Sequence, residues 1–574
     1  MGHLFLVIAV VLVLAGCGGD SDNLQKTQPP PGGSGFVTNQ RIIYSDGLHS
    51  ENTEMIRLGD RILLVFRGGE TGQTGSSQAR IKIFESTDNG RTFTMISEVA
   101  MPKDSNDPNG GRDIRDPKLV KMGDTLFLYT ISRLPGFSYR DLSGEAWTVR
   151  AGSTDGGWTW TTPVKTYADI GRFGYETFWG FWRFTKRHYK DSGQDKETLF
   201  ATGYNDGDIA VGLFKSDDGI NWIKQSIIMS NYDDVPSEAE LQFFGDNNKS
   251  AVALVRLDNQ GVLSDGQTAI CTSSDPFDTW ECGRRIEQRI DGPTWVVCRD
   301  GDQARNFVFA RKHLPCTFKR TAIYELRGDL TDPSASVQVC EIQEVQSSGD
   351  TAYTSLVPIT RSRYLLSWYS SPVDQELAWL EGQFSPSDIW LADVDFSKAP
   401  GGCLAPEPKR PCQPPPLPPG TQVFDVTGQY LLTLAPVIWP AQPLFFSANV
   451  TLKGLWLDLV LQPLEPTRKE PVGPSWPLRY VRIEADGSFN ADFGTRSLPA
   501  ETYPVLDSPI PLTLKGFTLT GKTTSGDSFC GIVDGYVQLL PIPTPPDKVF
   551  LAGSTFGAVR MTEGPQPEPV GSCQ

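Results

Sequence analysis

Ser153–Trp160 reads STDGGWTW, a tight polar turn between two strands. Asp155 is placed to accept hydrogen bonds from the turn's own backbone N–H groups. Gly157 permits a positive φ, and Trp160 starts the next strand as a packing anchor. The pattern Ser-x-Asp-x-Gly-x-x-aromatic recurs at Ser86–Phe93 (STDNGRTF). It returns at Lys215–Trp222 (KSDDGINW), with Lys215 in the place of the first Ser. A worn copy at Ser273–Trp280 (SSDPFDTW) keeps Asp275 and Trp280 but has Phe277 for the glycine. The aspartates fall at 88, 155, 217 and 275, in steps of 67, 62 and 58 residues. A steady step of that size signals one supersecondary unit repeated.

Outward from the turns, each is preceded by an apolar strand: ARIKIFES (79–86), WTVRAGS (147–153), IAVGLFKS (209–216) and TAICTSS (268–274). TAIYELRG (321–328) and SDIWLADV (387–394) are similar strands without the turn, which makes six. Ahead of each lies a hairpin pattern with a polar turn, as in MIRLGDRILLVFRG from Met55 and SLVPITRSRYLLSWY from Ser355. Six such units predict a six-bladed β-propeller over 36–400, whose radial repetition protects sheet edges. Residues near Phe36 to Tyr44 are expected to add a closing strand to the last blade. Residues 401–421 (GGCLAPEPKRPCQPPPLPPGT) form a Pro-rich linker that cannot feed a ladder. Alternating strand patterns over 422–574 predict a smaller antiparallel β-sandwich or barrel. The fold class is therefore all-β.

Composition narrows the partners. The chain of 574 residues has 56 Gly, 44 Pro and a formal charge of −16, with no long basic run. Phosphate backbones find no cationic stripe, so nucleic acid is not expected as a partner. Leu4–Leu14 is too short an apolar run to span a bilayer comfortably. It leads into Leu14-Ala15-Gly16-Cys17, which resembles a bacterial lipobox. The resemblance implies a lipoprotein signal peptide over 1–16, acylation of Cys17, a flexible tether over 17–35 and a membrane anchor in the bacterial cell envelope. An exported chain can oxidise its thiols. The expected pairs are Cys271 with Cys282, Cys403 with Cys412 and Cys530 with Cys573. One of Cys298, Cys316 and Cys340 is left over. Without a C-x-x-C, and with only His49, His188 and His313 beyond the leader, neither metal nor cofactor is expected. His313, beside Lys312, reads as a loop residue. A monomer is expected.

The repeated Asp turn on a six-blade pattern resembles the sialidase (neuraminidase) superfamily over about residues 36–400. In the fourth blade, SEAELQFF…ALVRLD resembles the segment carrying Glu-x-Gln on one strand and Arg at the end of the next, here Glu240, Gln242 and Arg256. In the fifth, NFVFARKHLPCTFKRTAIYEL resembles the segment ending in a carboxylate-binding arginine, here Arg320. In the sixth, AYTSLVPI resembles the strand that opens with the nucleophilic tyrosine, here Tyr353. The resemblance implies a glycoside hydrolase that releases a terminal sugar, sialic acid or another. Tyr353 would be the nucleophile, Glu240 its base, and the arginines the substrate's grip. Two members of the pattern are absent. HSENTEMI (49–56) holds Glu51 and Glu54 where the family opens its first blade with Arg, and the loop GGETGQTGSSQ (68–78) has Glu70 but no Asp.

The blade entrances carry further carboxylates at Glu51, Glu54, Asp113, Asp116 and Glu176. Arg115 and Asp116 begin the second blade in GRDIRDPKL (111–119). If Asp116 or Glu176 faces Glu240 across the axis, two-carboxylate hydrolysis of a neutral sugar becomes possible. A non-catalytic propeller that binds carbohydrate or protein is the other reading. Trp179, Phe181 and Trp182 read as core aromatics.

Overall fold

The structure is a computed structural model. It describes residues 35–573, except 103–111, 134–146, 259–266, 405–422, 503–511, 539–547 and shorter pieces of other loops. The expected signal peptide, Cys17 and most of the expected tether and linker lie outside the described residues.

Six sheets follow one another along the chain, antiparallel except where Ala168–Asp169 pairs parallel with Trp222–Ser230 in the third. Blade 1 opens on His49–Leu58, blade 2 on Asp113–Met122 and blade 3 on Gly180–Asp191. Blades 4, 5 and 6 open on Pro236–Phe244, Ile290–Asp300 and Thr351–Pro358. These opening strands are the innermost ones and neighbour one another in sequence order. Blade 6 takes its outermost strand from the start of the chain: Val37–Tyr44 pairs antiparallel with Asp388–Asp395. The first strand thereby locks the last blade, as expected from Phe36 to Tyr44.

Strand alternation explains why the sheets close into a ring. Successive side chains point to opposite faces. On Ser250–Leu257 of blade 4, Ala251, Ala253, Val255 and Leu257 pack against blade 3. Val252 and Leu254 pack against blade 5. The same division holds for every adjacent pair, the last cluster joining Val357 and Leu365 of blade 6 to Met55 and Ile62 of blade 1. Each blade thus packs apolar side chains against both of its neighbours.

The Asp turns bind as their sequence implies. Asp88 accepts from the N–H groups of Arg91 and Thr92, and the Gly90 N–H donates to Ser86 Oγ. Asp155 does the same for Trp158 and Thr159. In blade 3 the turn is one residue shorter between Asp and Gly. Asp218, not Asp217, caps Ile220 and Asn221, and Ser216 takes the first Ser place. In blade 4, Phe277 holds φ 67°, close to Gly219 at 71°. Its ring, fully buried in the core between blades 3 and 4, compensates for a left-handed conformation that side chains disfavour.

The C-terminal strands form one antiparallel sheet of eight principal strands that curls into a nearly closed barrel. It runs from Trp476–Arg482 at one edge to Ser488–Leu498 at the other. A bridge between Ile483 and Phe489 ties the edges together. Barrel, not sandwich, is therefore the architecture. Its interior holds Tyr430, Leu432, Phe446, Trp476, Phe517 and Phe556 among other apolar residues.

Disulfides join Cys271 to Cys282 and Cys530 to Cys573. Cys403 pairs with Cys340 and not with Cys412, because the chain leaving blade 6 returns along the outer strand of blade 5, where the Leu404 N–H donates to Glu341. Cys298 is a free thiol, while Cys316 and Cys412 lie outside the described residues. Three disulfides among the described residues fit an extracytoplasmic, oxidising compartment.

Candidate active site at the propeller axis

Every innermost strand carries a register break against its neighbour. The breaks lie between Glu51 and Glu54, Arg115 and Lys118, and Phe181 and Arg183. They continue between Pro236 and Ala239, Asp291 and Thr294, and Ala352 and Ser355. A bulge leaves a residue unpaired, bends the strand and re-aims its side chain. Six bulges in phase therefore present one ring of residues: Asn52, Asp116, Trp182, Glu238, Gly292 and Tyr353. Asn52, Asp116 and Tyr353 hold positive φ of 58°, 52° and 47°. Such conformations cost energy and persist where the surroundings over-determine them.

The ring is knit together. The Tyr353 hydroxyl donates to Glu238 Oε1 at 2.7 Å. Arg256 Nη1 lies 2.8 Å from the same oxygen and 3.4 Å from the phenol. The Gly292 N–H donates to Glu238 Oε2 at 2.8 Å. Trp182 meets the Tyr353 ring edge-on at 5.3 Å, and the Arg311 guanidinium lies 4.7 Å from that ring's centre. Asn52 Nδ2 donates to Asp116 Oδ1. Burial pushes the Tyr353 phenol well above its ordinary pKa. The Glu238 charge adds to this, against Arg311 and Arg256, so the phenol is a neutral donor. Burial also lifts Asp116 to about 6, with Arg115 and Lys118 pulling down and Glu51 and Glu238 pushing up.

A second layer lies deeper along the same strands. Arg183 of blade 3 reaches Glu54 of blade 1 at 2.9 Å and the Thr354 carbonyl of blade 6 at 3.2 Å. Its Nε is 2.9 Å from Glu240 Oε2, while the N–H itself points to the Pro293 carbonyl of blade 5 at 3.2 Å. One side chain touching blades 1, 4, 5 and 6 marks the axis. Burial raises Glu240 to about 8, opposed by Arg183 and reinforced by Glu54. Lys118, 3.9 Å from Glu54, is lowered by burial to about 8.

These distances relocate several expected site residues. Glu240 is not the partner of Tyr353; Glu238 is. The two share a strand face by period two, and the bulge at Ser237–Glu238 brings the earlier one to the mouth. Gln242 donates to the Trp295 carbonyl between blades. Arg320 is held by both oxygens of Glu376, at 2.8 and 2.6 Å, away from Tyr353. Arg311, on the neighbouring strand, stands by Tyr353 instead. Arg256 stands beside Glu238 and the Tyr353 hydroxyl. Asp116 joins the ring, whereas Arg115 turns to Asp113 at 2.8 Å and to the Gly72 carbonyl. Glu176 belongs to the short strand Tyr175–Glu176 at the outer edge of blade 3, and its side chain lies outside what is described. His313 is not in a loop: it ends the strand Gln303–His313 and faces Asp291 at 2.7 Å. Trp179 and Phe181 pack in the core between blades 2 and 3, but Trp182 belongs to the axial ring.

His49, Glu51 and Asp350 form a buried cluster with the donor types of a metal site. His49 Nδ1 faces the Ser385 carbonyl at 2.9 Å, and Nε2 faces Asp350 at 3.2 Å, so both ring nitrogens meet acceptors. Burial opposes the charge, yet Asp350 and Glu51 push the imidazole up to about 9. Arg67 takes Glu51 at 2.9 Å and Arg311 takes Asp350 at 2.8 Å. Each carboxylate of the cluster is already paired with an arginine, and the imidazole lies between acceptors.

No family model matches the chain, and no curated protein matches it. Similar solved structures include a protein of unknown function from Dyadobacter fermentans, at 19% identity and TM-score 0.43, covering 62% of this chain and 98% of that one. Another is the α-L-arabinofuranosidase of Fusarium graminearum with arabinobiose, at 16% identity and TM-score 0.43, covering 64% and 99%. A third is the Trypanosoma rangeli sialidase with sialic acid, at 11% identity and TM-score 0.41, covering 92% and 90%.

Proposed function

We propose that the chain is an exported glycoside hydrolase, anchored through Cys17, that releases a neutral terminal sugar at the propeller axis. The observation that carries this reading is Glu238. It is gripped by Tyr353, Arg256 and the Gly292 N–H in the ring of six bulges.

Substrate charge follows from the arginines. Arg256 already meets Glu238, Asp258 and Asp291, and Arg311 already meets Asp350. A sugar carboxylate would have to displace those partners and face the Glu238 charge. A neutral sugar meets no such repulsion, so a carboxylate can attack it directly. Glu238 is then the nucleophile, forming a bond to the anomeric carbon as the bond to the leaving oxygen breaks. Tyr353 stays neutral and holds Glu238 in place. Asp116, which keeps its proton to higher pH than an ordinary aspartate, donates to the leaving oxygen; water then attacks the anomeric carbon, giving a proton to Asp116 as the bond to Glu238 breaks.

A panel of neutral aryl glycosides and an aryl sialoside tests this. Wild type should turn over a neutral member, and Glu238→Gln should lower kcat by about 1,000-fold or more. A fluorinated sugar should label Glu238, as read by peptide mass spectrometry. Labelling of Tyr353 would restore the phenol as nucleophile. Binding of a glycan without any turnover would make the propeller a binding module.

A further inference from the structure

We propose that His313 and Lys319 are positioning residues for Glu238, acting through Asp291 and Arg256. The inference deepens the hydrolase reading and rests on it for its catalytic consequence.

The contacts form one chain of hydrogen bonds and ion pairs. Lys319 Nζ meets His313 Nδ1, and His313 Nε2 meets Asp291 Oδ2 at 2.7 Å. Asp291 Oδ1 then faces Arg289 Nε at 2.8 Å and Arg256 Nε at 3.1 Å. Arg256 Nη1 reaches Glu238 Oε1 at 2.8 Å. The residue after Asp291 is Gly292, whose N–H holds Glu238 Oε2. Asp291 thus stands behind both grips on Glu238, one through the backbone and one through the Arg256 guanidinium, which it shares with Asp258 at 2.8 Å. Freeing it would loosen both oxygens of the nucleophile at once.

His313, backed by Lys319, holds Asp291 Oδ2, while Arg289 and Arg256 hold Oδ1. His313 and Lys319 stand on adjacent strands of blade 5 and pair directly in register. With Lys319 as the donor to Nδ1, the ring proton lies on Nε2 and Nε2–H donates to Asp291. Burial drives the ring well below its ordinary pKa. Asp291 opposes this, while Lys319 and Arg289 reinforce it. A neutral ring of fixed tautomer is a rigid donor. Both side chains are well buried, and neither belongs to the axial ring.

The sequence has four histidines, so histidine-selective nitrogen labelling of the full chain gives few imidazole signals, and His313→Gln assigns the one in question. His313 should show the neutral Nε2–H pattern across about pH 6 to 8, and Lys319→Met should abolish that pattern. A ring that titrates in this interval, or carries its proton on Nδ1, overturns the inference. The kinetic arm uses His313→Leu, expected to lower kcat about 100-fold with KM little changed. His313→Gln, which restores a donor toward Asp291, should recover most of that loss. Full activity in His313→Leu, beside an inactive Glu238→Gln, overturns the positioning role and leaves the hydrolase reading standing. If wild type hydrolyses nothing, that reading fails, and the tautomer measurement still decides the hydrogen-bonded chain. If His313→Leu does not fold, Lys319→Met and His313→Gln carry the kinetic comparison.

Discussion

Replacing Arg183 with methionine tests the axial packing most directly. The guanidinium lies 2.9 Å from Glu54 and 2.9 Å from Glu240, and donates to the carbonyls of Pro293 and Thr354. Methionine keeps much of the apolar stem and removes these four contacts and a fifth, the hydrogen bond to Thr294 Oγ1. Stripping one partner from a buried ion pair costs about 3–5 kcal/mol, because the other charge is left unsolvated. Two features hold the expected loss at the lower end of that range. Glu240, raised to about 8, is mostly protonated near neutrality and strands little charge. Lys118, 3.9 Å from Glu54, can approach that carboxylate and is itself relieved of a cationic neighbour. The expectation is a loss of about 3 kcal/mol at neutral pH, read as a shift in the urea midpoint of the propeller transition by tryptophan fluorescence. A loss under about 1 kcal/mol would refute the reasoning, since it would mean that water solvates the layer beneath the ring.

Glu238→Gln and Tyr353→Phe should each cut turnover, the second by about 100-fold, whereas Glu240→Gln should retain most of it; the ordering is read from kcat on one active glycoside. Glu240 also predicts a stability profile. Its folded pKa of about 8 lies above the unfolded value, so the native state holds an extra proton between the two, and this group makes stability fall as pH rises toward 8. Glu240→Gln removes that fall, and denaturation of both proteins at several pH values should show the variant gaining on wild type over this window. If Asp116 is the acid, kcat/KM should decline as pH rises through about 6, and Asp116→Asn should lose that limb of the profile. Non-reducing peptide mapping should recover Cys340 linked to Cys403 and no peptide linking Cys403 to Cys412.

How much of this was legible beforehand depends on the range of the interactions involved. The Asp turns are made by residues within a few positions of one another, so Asp88 and Asp155 could be read as caps from their neighbours alone. The exception in blade 3 is instructive: KSDDGINW offers two aspartates, and one lost residue moves the cap from Asp217 to Asp218. Chain pairing at a distance was less accessible. Cys403 had a near neighbour in sequence at Cys412, but its partner is set by where the linker crosses blade 5.

The blade number, the closing strand and an all-β C-terminal region were thus fixed by local pattern, because alternation and turn chemistry act over a few residues. The site was not. Glu238 and Glu240 are equivalent by alternation, and Arg311 and Arg320 lie on adjacent paired strands; only the six bulges and the closure of the ring select Glu238 and Arg311 for Tyr353. A shift of one residue in register changes which side chain reaches the axis, and that register is held by contacts between blades far apart in the chain.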